Sequence, residues 1–214
     1  TRNTTPNGQQ FAYRTALELL ENDALIISGG ASGIDSVGLI TALECKKPSV
    51  AVLGCDIDKY YPAKNYALFE HIVSNGLVLS EYPPQTNARY FPVRNRIIAG
   101  LSQRLLVLEA PEKSGALITA NYASDYGVPV LAPRLDGESF EGCRSLLERG
   151  ASELDGWQSV LSAEGKTRLK KPEKASPRVK ADKIPEIKKK SFAVYSDPVL
   201  NHVCECIRAG RDTP

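Results

Sequence analysis

The chain has 214 residues, a length that suits one core domain of ordinary size with a smaller appendage. Hydrophobic residues make up 42% of it, yet no stretch approaches the roughly 20 apolar residues of a membrane span, so an integral membrane protein is excluded. No secretory signal pattern opens the sequence, and the five cysteines are an odd number. We therefore expect a cytoplasmic protein with reduced thiols and no membrane partner.

The formal net charge of +2 hides a segregation of charge along the chain. Residues 1–162 carry 14 basic and 18 acidic residues, a net charge of −4, whereas residues 163–190 carry 11 basic and 4 acidic residues, a net charge of +7. The basic stretch also contains three prolines and too few apolar residues to fold by itself. A flexible linker is predicted over residues 161–192, either attracting nucleic-acid phosphates in a salt-dependent way or acting as a solubilising spacer.

Short apolar runs alternate with amphipathic stretches of helical length through the first 150 residues. Helices are predicted over residues 6–21, 34–45, 63–75, 95–101, 115–126 and 145–150, and strands over residues 24–28, 49–53, 77–80, 104–109 and 128–132. This repetition of βα units predicts a doubly wound, Rossmann-like α/β domain with a mostly parallel sheet over residues 1–160.

The first predicted strand runs directly into a glycine-rich loop, SGGASGID at residues 28–35. Gly29, Gly30 and Gly33 allow a sharp turn that brings backbone N–H groups close to an anion, and the following helix directs its positive end to the same place. Ser28 and Ser32 complete this candidate phosphate site. A tight strand-to-helix turn without a ligand remains the alternative.

Two nucleotide-binding patterns compete with this interpretation. The loop matches the dinucleotide-binding fingerprint only in part, because its glycines have the spacing G-G-x-x-G in place of G-x-G-x-x-G. Asp56 lies near the expected position of the ribose-binding acid, but it follows Gly54 and Cys55 in a predicted loop. No Gly-Lys-Ser/Thr follows the glycines, which excludes a Walker A loop.

A second candidate site lies in FPVRNRIIAGLS at residues 91–102, where Arg94, Asn95 and Arg96 crowd the predicted start of a helix. Arginine forks hold phosphates and stack on bases, and cations at a helix N-terminus are unfavourable for the helix itself, so binding is the favoured role. Side chains two residues apart on a helix point in different directions. We therefore expect at most one of the two arginines to face the nucleic acid while the other braces the loop.

A third candidate consists of Lys113, Ser114 and Gly115, which open a helix directly after a strand and can supply a second anion contact. The alternative is simple capping, with Ser114 as the N-cap and Leu117 and Ile118 in the core.

Residues suited to catalysis or metal binding are few. The sequence has two histidines and no nucleophile elbow, and His71 falls within a predicted amphipathic helix. Cys204 and Cys206 form a C-x-C pair with His202 nearby, which is short of the four ligands of a structural zinc site. We therefore predict no enzyme activity, no catalytic residues and no metal.

Taken together, the motifs over residues 1–155 resemble the DNA-processing protein A family (DprA, also called Smf). They are the glycine loop, AVLGC at residues 51–55, Tyr61, Pro62 and Asn65, LSEYPP at residues 79–84, the FPVRNR segment, and SGALITA at residues 114–120. The resemblance implies a bacterial homodimer with an extended Rossmann fold and no cofactor. Such a protein protects incoming single-stranded DNA during natural transformation (competence) and loads the RecA recombinase on it.

The resemblance also implies where DNA is bound. The family's G-S/T-R loop corresponds to Thr1 and Arg2, further contacts fall on the glycine loop and the FPVRNR segment, and Arg89 stands where the family commonly has a basic residue. The sequence departs from the family before Thr1, where a strand is absent, and at APR (residues 132–134) and EGCR (residues 141–144), which replace VPG and GTN-like segments.

A small winged-helix domain is implied at the C-terminus, and a helix starting near Asp197 and Pro198 is predicted to begin it within residues 193–214. Because the sequence lacks methionine and stops within this helix, we expect a piece of a longer protein.

Two other functions stay open. A phosphoribohydrolase-like enzyme would use a P-G-G-x-G-T-x-x-E loop whose glutamate assists glycosidic cleavage, but the matching residues 112–119 have no acid after the glycine. A nucleotide sensor remains an alternative, because a phosphate-holding loop does not reveal what carries the phosphate.

Overall fold

The structure is a computed structural model that describes residues 3–83, 87–163 and 167–170. Arg2, the predicted linker from residue 171 onward and the predicted C-terminal helical domain over residues 193–214 lie outside the described residues. Within the described part of the chain, no helix is long and apolar enough to cross a bilayer.

Helices and strands alternate along the described chain. The helices are α1 (Pro6–Glu21), α2 (Ile34–Glu44), α3 (Tyr66–Asn75), α4 (Tyr90–Leu101), α5 (Gly115–Tyr126), α6 (Glu141–Glu148) and α7 (Trp157–Ser162). The strands are β1 (Ile26–Ser28), β2 (Ser49–Val52), β3 (Leu77–Leu79), β4 (Leu105–Leu106), β5 (Val130–Ala132) and β6 (Ser152–Glu153). Short 3-10 helices span Ala63–Asn65 and Glu138–Phe140.

The strands form two three-stranded parallel sheets, in the orders β1-β2-β3 and β4-β5-β6. This confirms the predicted α/β class with parallel strands between helices. It differs from a single continuous sheet, because within the described residues no hydrogen-bonded ladder joins β1 to β4. Both strands border one cavity of about 1190 Å³, so the two sheets lie on either side of it.

The core lies on both faces of the strands. All four residues of β2 are buried, which explains why the sequence after Ser49 is an apolar run with no alternation. Ala51 packs with Leu39 and Phe69 on one face of the first sheet, and Val52 packs with Ile98 on the other. In the second sheet, β5 is buried between helices in the same way.

Helix α4 begins at Tyr90, well before the predicted start at residue 95. Pro92 is the third helical residue, where its missing N–H removes no intrahelical hydrogen bond, so this proline does not delay the helix. As a result Arg94, Asn95 and Arg96 lie in the second turn and not at the N-terminus. The prediction that these cations crowd the helix start is therefore wrong, and the argument from the helix dipole does not apply to them.

Hydroxyl side chains cap the N-termini of two helices. Ser114 accepts a hydrogen bond from the Ala116 N–H (3.2 Å) at the start of α5, as the capping alternative predicted. Thr5 accepts one from the Gly8 N–H (3.0 Å) at the start of α1, and its own N–H donates to Glu109 Oε1 (2.9 Å). The latter contact anchors the start of α1 beside the carboxyl end of β4.

Candidate nucleic-acid interface

The carboxyl ends of β1 and β4 and the start of α4 border the same cavity. The cavity runs along the whole length of both strands, and its carboxyl end is where ligands usually lie in open α/β folds. The structure brings together residues of all three predicted motifs here, and they are Ser28, Gly29, Arg94, Asn95, Lys113, Ser114 and Gly115.

The carbonyl groups of the glycine loop are held inside the protein by side-chain donors. These bonds run from Arg94 Nη1 to Gly29 O (2.9 Å), from Asn65 Nδ2 to Gly30 O (2.9 Å) and from Ser36 Oγ to Ala31 O (2.6 Å). In a planar trans peptide the C=O and the following N–H point in opposite directions. The N–H groups of Gly30 and Ser32 are therefore directed away from these interior donors.

A carboxylate of the protein itself occupies part of this loop. The N–H groups of Gly29 and Ala31 donate to Asp35 Oδ2, at 3.1 and 3.4 Å. Asp35 is the second residue of α2, where the helix dipole also favours a negative charge. The loop is thus an anion-holding structure, and Asp35 uses two of its donors to set its shape.

Arg94 is a buried brace, with only 5% of its surface exposed. Its Nη1 also donates to Val52 O at the end of β2, and its Nε donates to Asn95 Oδ1 (3.1 Å). The guanidinium lies so close to Gly29 that a Cβ there would be 2.5 Å from Nη2. Arg94 therefore ties the carboxyl ends of β1 and β2 together from inside, and glycine is required at position 29.

The other predicted basic residues are distributed differently. Arg96 pairs with Glu81 (Nη2 to Oε2, 2.5 Å), and its side chain is 23% exposed. Arg89 is exposed at the N-cap position of α4, and Lys113 is exposed at the border of the cavity. Asn95 Nδ2 lies 3.4 Å from Gly115 O, which links α4 to the start of α5.

Sequence reasoning did not assign roles to Asn65, Ser36 and Asp35, the residues that shape the loop from inside. Asn65 and Asp35 were present in the motifs shared with the family, which is a signal that they matter. The hydrogen bond from Asn65 could not be predicted from local pattern, because Asn65 and Gly30 are 35 residues apart in the chain.

The described cysteines are structural. Cys55 and Cys143 are buried, and burial raises the pKa of both thiols, to about 11 for Cys143. Cys45, Cys55 and Cys143 form no disulfide. Within the described residues no cluster of three His, Cys, Asp or Glu side chains is placed to hold a metal ion. Cys204 and Cys206 lie outside them.

Comparison with known proteins decides the family. A sequence model of the DNA recombination-mediator protein A family matches residues 1–164. The chain belongs to the DNA-processing protein A (DprA/Smf) family. Protein Smf of Synechocystis sp. is 40% identical over 169 residues, which are 77% of this chain and 42% of that protein. DprA of Streptococcus pneumoniae is 43% identical over 148 residues, 67% of this chain and 52% of that protein.

Solved DprA structures share the fold. The X-ray structure of DprA from Streptococcus pneumoniae is 36% identical with a TM-score of 0.71, and the match covers 78% of this chain and 60% of that one. DprA from Helicobacter pylori, whose structure concerns its single-stranded DNA binding mode, is 34% identical with a TM-score of 0.68, covering 75% of each chain. This chain spans about half the length of the curated DprA and Smf relatives described above, 42% and 52%.

Proposed function

We propose that this DprA-family chain binds single-stranded DNA, without catalysing a reaction, at the carboxyl ends of β1 and β4. The observation that carries the proposal is the glycine loop, whose carbonyl groups are held inward, so that the N–H groups of Gly30 and Ser32 point the other way. Such a loop before a helix suits a phosphate. The Helicobacter pylori relative, described for its single-stranded DNA binding mode, supports this choice of ligand.

Phosphates would lie on the loop itself. The N–H groups of Gly30 and Ser32, the Ser32 hydroxyl and the positive end of α2 beginning after Gly33 supply the donors. Residues 1–162 have a net charge of −4, so the mean field of the folded part does not attract DNA. Binding then depends on cations close to the loop.

Within this proposal Arg89 and Lys113 are the cations that reach the phosphates, because both are exposed, Lys113 borders the cavity and Arg89 follows Ala88, which also borders it. Arg94 is a positioning residue that acts through Gly29, and Arg96 is held by Glu81. Arg2 would add a further contact, as the family resemblance predicts.

Backbone N–H groups and cations contact the sugar-phosphate backbone and not the base edges, so little sequence preference is expected. For the whole protein we propose, from the family resemblance, a cytoplasmic homodimer that protects incoming DNA and loads RecA on it. The basic residues 163–190, with a net charge of +7, would add salt-dependent attraction.

The test is a set of fluorescence-anisotropy titrations with oligo-dT and with duplex of equal length, at two salt concentrations. We expect tighter binding of oligo-dT, with affinity falling as salt rises by a slope of about −0.7 per phosphate neutralised. Arg89→Ala and Lys113→Ala should each reduce the magnitude of that slope by about 0.7, the value for one phosphate contact. Lys47→Ala is the matched control, because Lys47 is partly exposed, pairs with Asp23 and precedes β2, at the opposite, amino ends of the strands. Equal affinity for duplex would contradict the proposal.

A deletion of residues 163–190 tests the basic segment separately. The salt slope should flatten while the preference for oligo-dT persists. An unchanged slope would show that the segment is a spacer.

A further inference from the structure

Two tyrosine rings are exposed beside the glycine loop, and each is backed by another ring. Tyr61 is 50% exposed and its ring lies 5.2 Å from that of Phe91, while Tyr66 is 57% exposed and its ring lies 5.3 Å from that of Tyr60. A backing ring restricts the orientation of the exposed one. These are therefore supported aromatic surfaces, unlike a single apolar side chain extending into solvent.

Tyr66 is joined to the loop through its neighbours. Asn65, the preceding residue, donates to Gly30 O at 2.9 Å. The ring of Tyr60 lies 5.1 Å from that of Phe69, which packs directly against the backbone of Gly30. Gly30 has a φ of +64°, and a Cβ there would overlap the Phe69 ring, so the loop and this aromatic cluster are in close contact.

Tyr61 is joined to the same end of the fold through α4. Phe91 packs against Gly54, where a Cβ would lie 2.7 Å from Phe91 Cδ1, and it borders the cavity together with Gly29. The two exposed rings thus follow the carboxyl end of β2, next to the loop that follows β1. Lys64, exposed between them in the sequence, adds a cation to this surface.

We infer that Tyr61 and Tyr66 form a stacking platform for the bases of a single-stranded nucleic acid whose phosphates lie on the glycine loop. The inference rests on the proposed function and adds contacts to the bases, which a phosphate-binding loop does not make. A phosphate site alone binds single strands and duplex alike, since both present phosphates. In a duplex the bases are already paired and stacked, whereas in a single strand each base has a free π-face for an aromatic ring. The two tyrosines are therefore the source of the preference for single strands.

The test compares oligo-dT with an abasic oligomer that has the same number of phosphates but no bases. Tyr61→Leu and Tyr66→Leu keep an apolar side chain and remove the π-face. Each should weaken oligo-dT binding about tenfold, equivalent to about 1.4 kcal/mol, with an unchanged salt slope and unchanged affinity for the abasic oligomer. Tyr13→Leu on α1, where Tyr13 is 42% exposed, is the matched control and should bind like the parent.

Phenylalanine variants separate stacking from hydrogen bonding by the hydroxyl. The double variant Tyr61→Phe, Tyr66→Phe should keep the parent's affinity for oligo-dT, because the ring is retained. Oligo-dT, but not the abasic oligomer, should quench part of the parent's tyrosine emission, and this quenching should disappear in the double variant. These measurements need no disruptive substitution.

The inference is overturned if the leucine variants bind oligo-dT like the parent. It is equally overturned if they lose affinity for oligo-dT and the abasic oligomer alike, because the rings would then only support the loop. Both results leave the proposed function standing as long as the parent prefers oligo-dT to duplex. A parent that binds duplex equally well overturns the proposed function, and the platform with it.

Discussion

Replacement of Arg94 by alanine should destabilise the fold more than it weakens a DNA contact. The side chain is 5% exposed, and its guanidinium donates to Gly29 O, directly after β1, and to Val52 O, at the end of β2. A hydrogen bond from a charged donor contributes about 1.5–3 kcal/mol, and its loss leaves each carbonyl without this donor. We expect Arg94→Ala to lower the free energy of unfolding by about 3–5 kcal/mol, a large part of the 5–15 kcal/mol typical of a domain.

Equilibrium urea unfolding, followed by circular dichroism, measures this effect. With a slope of about 2 kcal/mol per molar urea, the midpoint should fall by about 1.5–2.5 M. Arg94→Lys should recover only part of the loss, because one ammonium lacks the geometry of the guanidinium fork. Arg134→Ala, which removes an exposed ion pair, should stay within about 0.5 kcal/mol of the parent.

A direct phosphate contact by Arg94 predicts a different result. In that case Arg94→Ala would unfold at the parent's urea concentration, lose about 1.5–3 kcal/mol of binding to oligo-dT, and show a salt slope reduced in magnitude by about 0.7. That combination would refute the assignment of Arg94 as a brace.

Three further substitutions test the loop and the core. Asn65→Ala removes buried bonds to Gly30 O and Ser36 Oγ, so urea unfolding should show a loss of about 2–3 kcal/mol, and oligo-dT binding should weaken because the loop is less ordered. Gly30→Ala places a Cβ at φ +64° against the ring of Phe69 and should cost about 2–4 kcal/mol by the same measurement, whereas Gly115→Ala, with open space around its Cα, should have a small effect. Burial raises the pKa of Cys143 to about 11, so the protonated thiol stabilises the fold below its ordinary pKa, and this contribution should be lost as the pH rises from about 9 through 11. Urea midpoints at pH 8 and pH 10.5 should therefore differ by less in Cys143→Ala than in the parent; an equal difference would show that other groups control the alkaline loss.

The order of helices and strands could be predicted from local pattern. Helices α1 and α5 occupy the predicted residues because proline and serine mark their starts and apolar residues recur at helical spacing. Strand β2 was predicted from the apolar run that follows Ser49. The glycine loop was identified for the same reason, since three glycines between a strand and a helix define the backbone locally.

Other features depended on contacts that no local pattern contains. Strand β6, two exposed residues long, has no apolar alternation and forms only by pairing with β5. Helix α4 starts earlier than predicted, because Pro92 is tolerated in the first turn of a helix. Arg94, Asn95 and Arg96 therefore lie in its second turn and not at its N-terminus.

The sequence by itself determined that this is an α/β chain of the DprA family with a loop suited to anions, because those properties reside in residue spacing. Only the tertiary structure decided what Arg94 does. Its partners Gly29 and Val52 are 65 and 42 residues away in the chain, and they meet it only where parallel strands end side by side. The sequence predicted that one of Arg94 and Arg96 braces the loop, but it could not say which one. Folding enclosed Arg94 and left Arg89 and Lys113 at the surface.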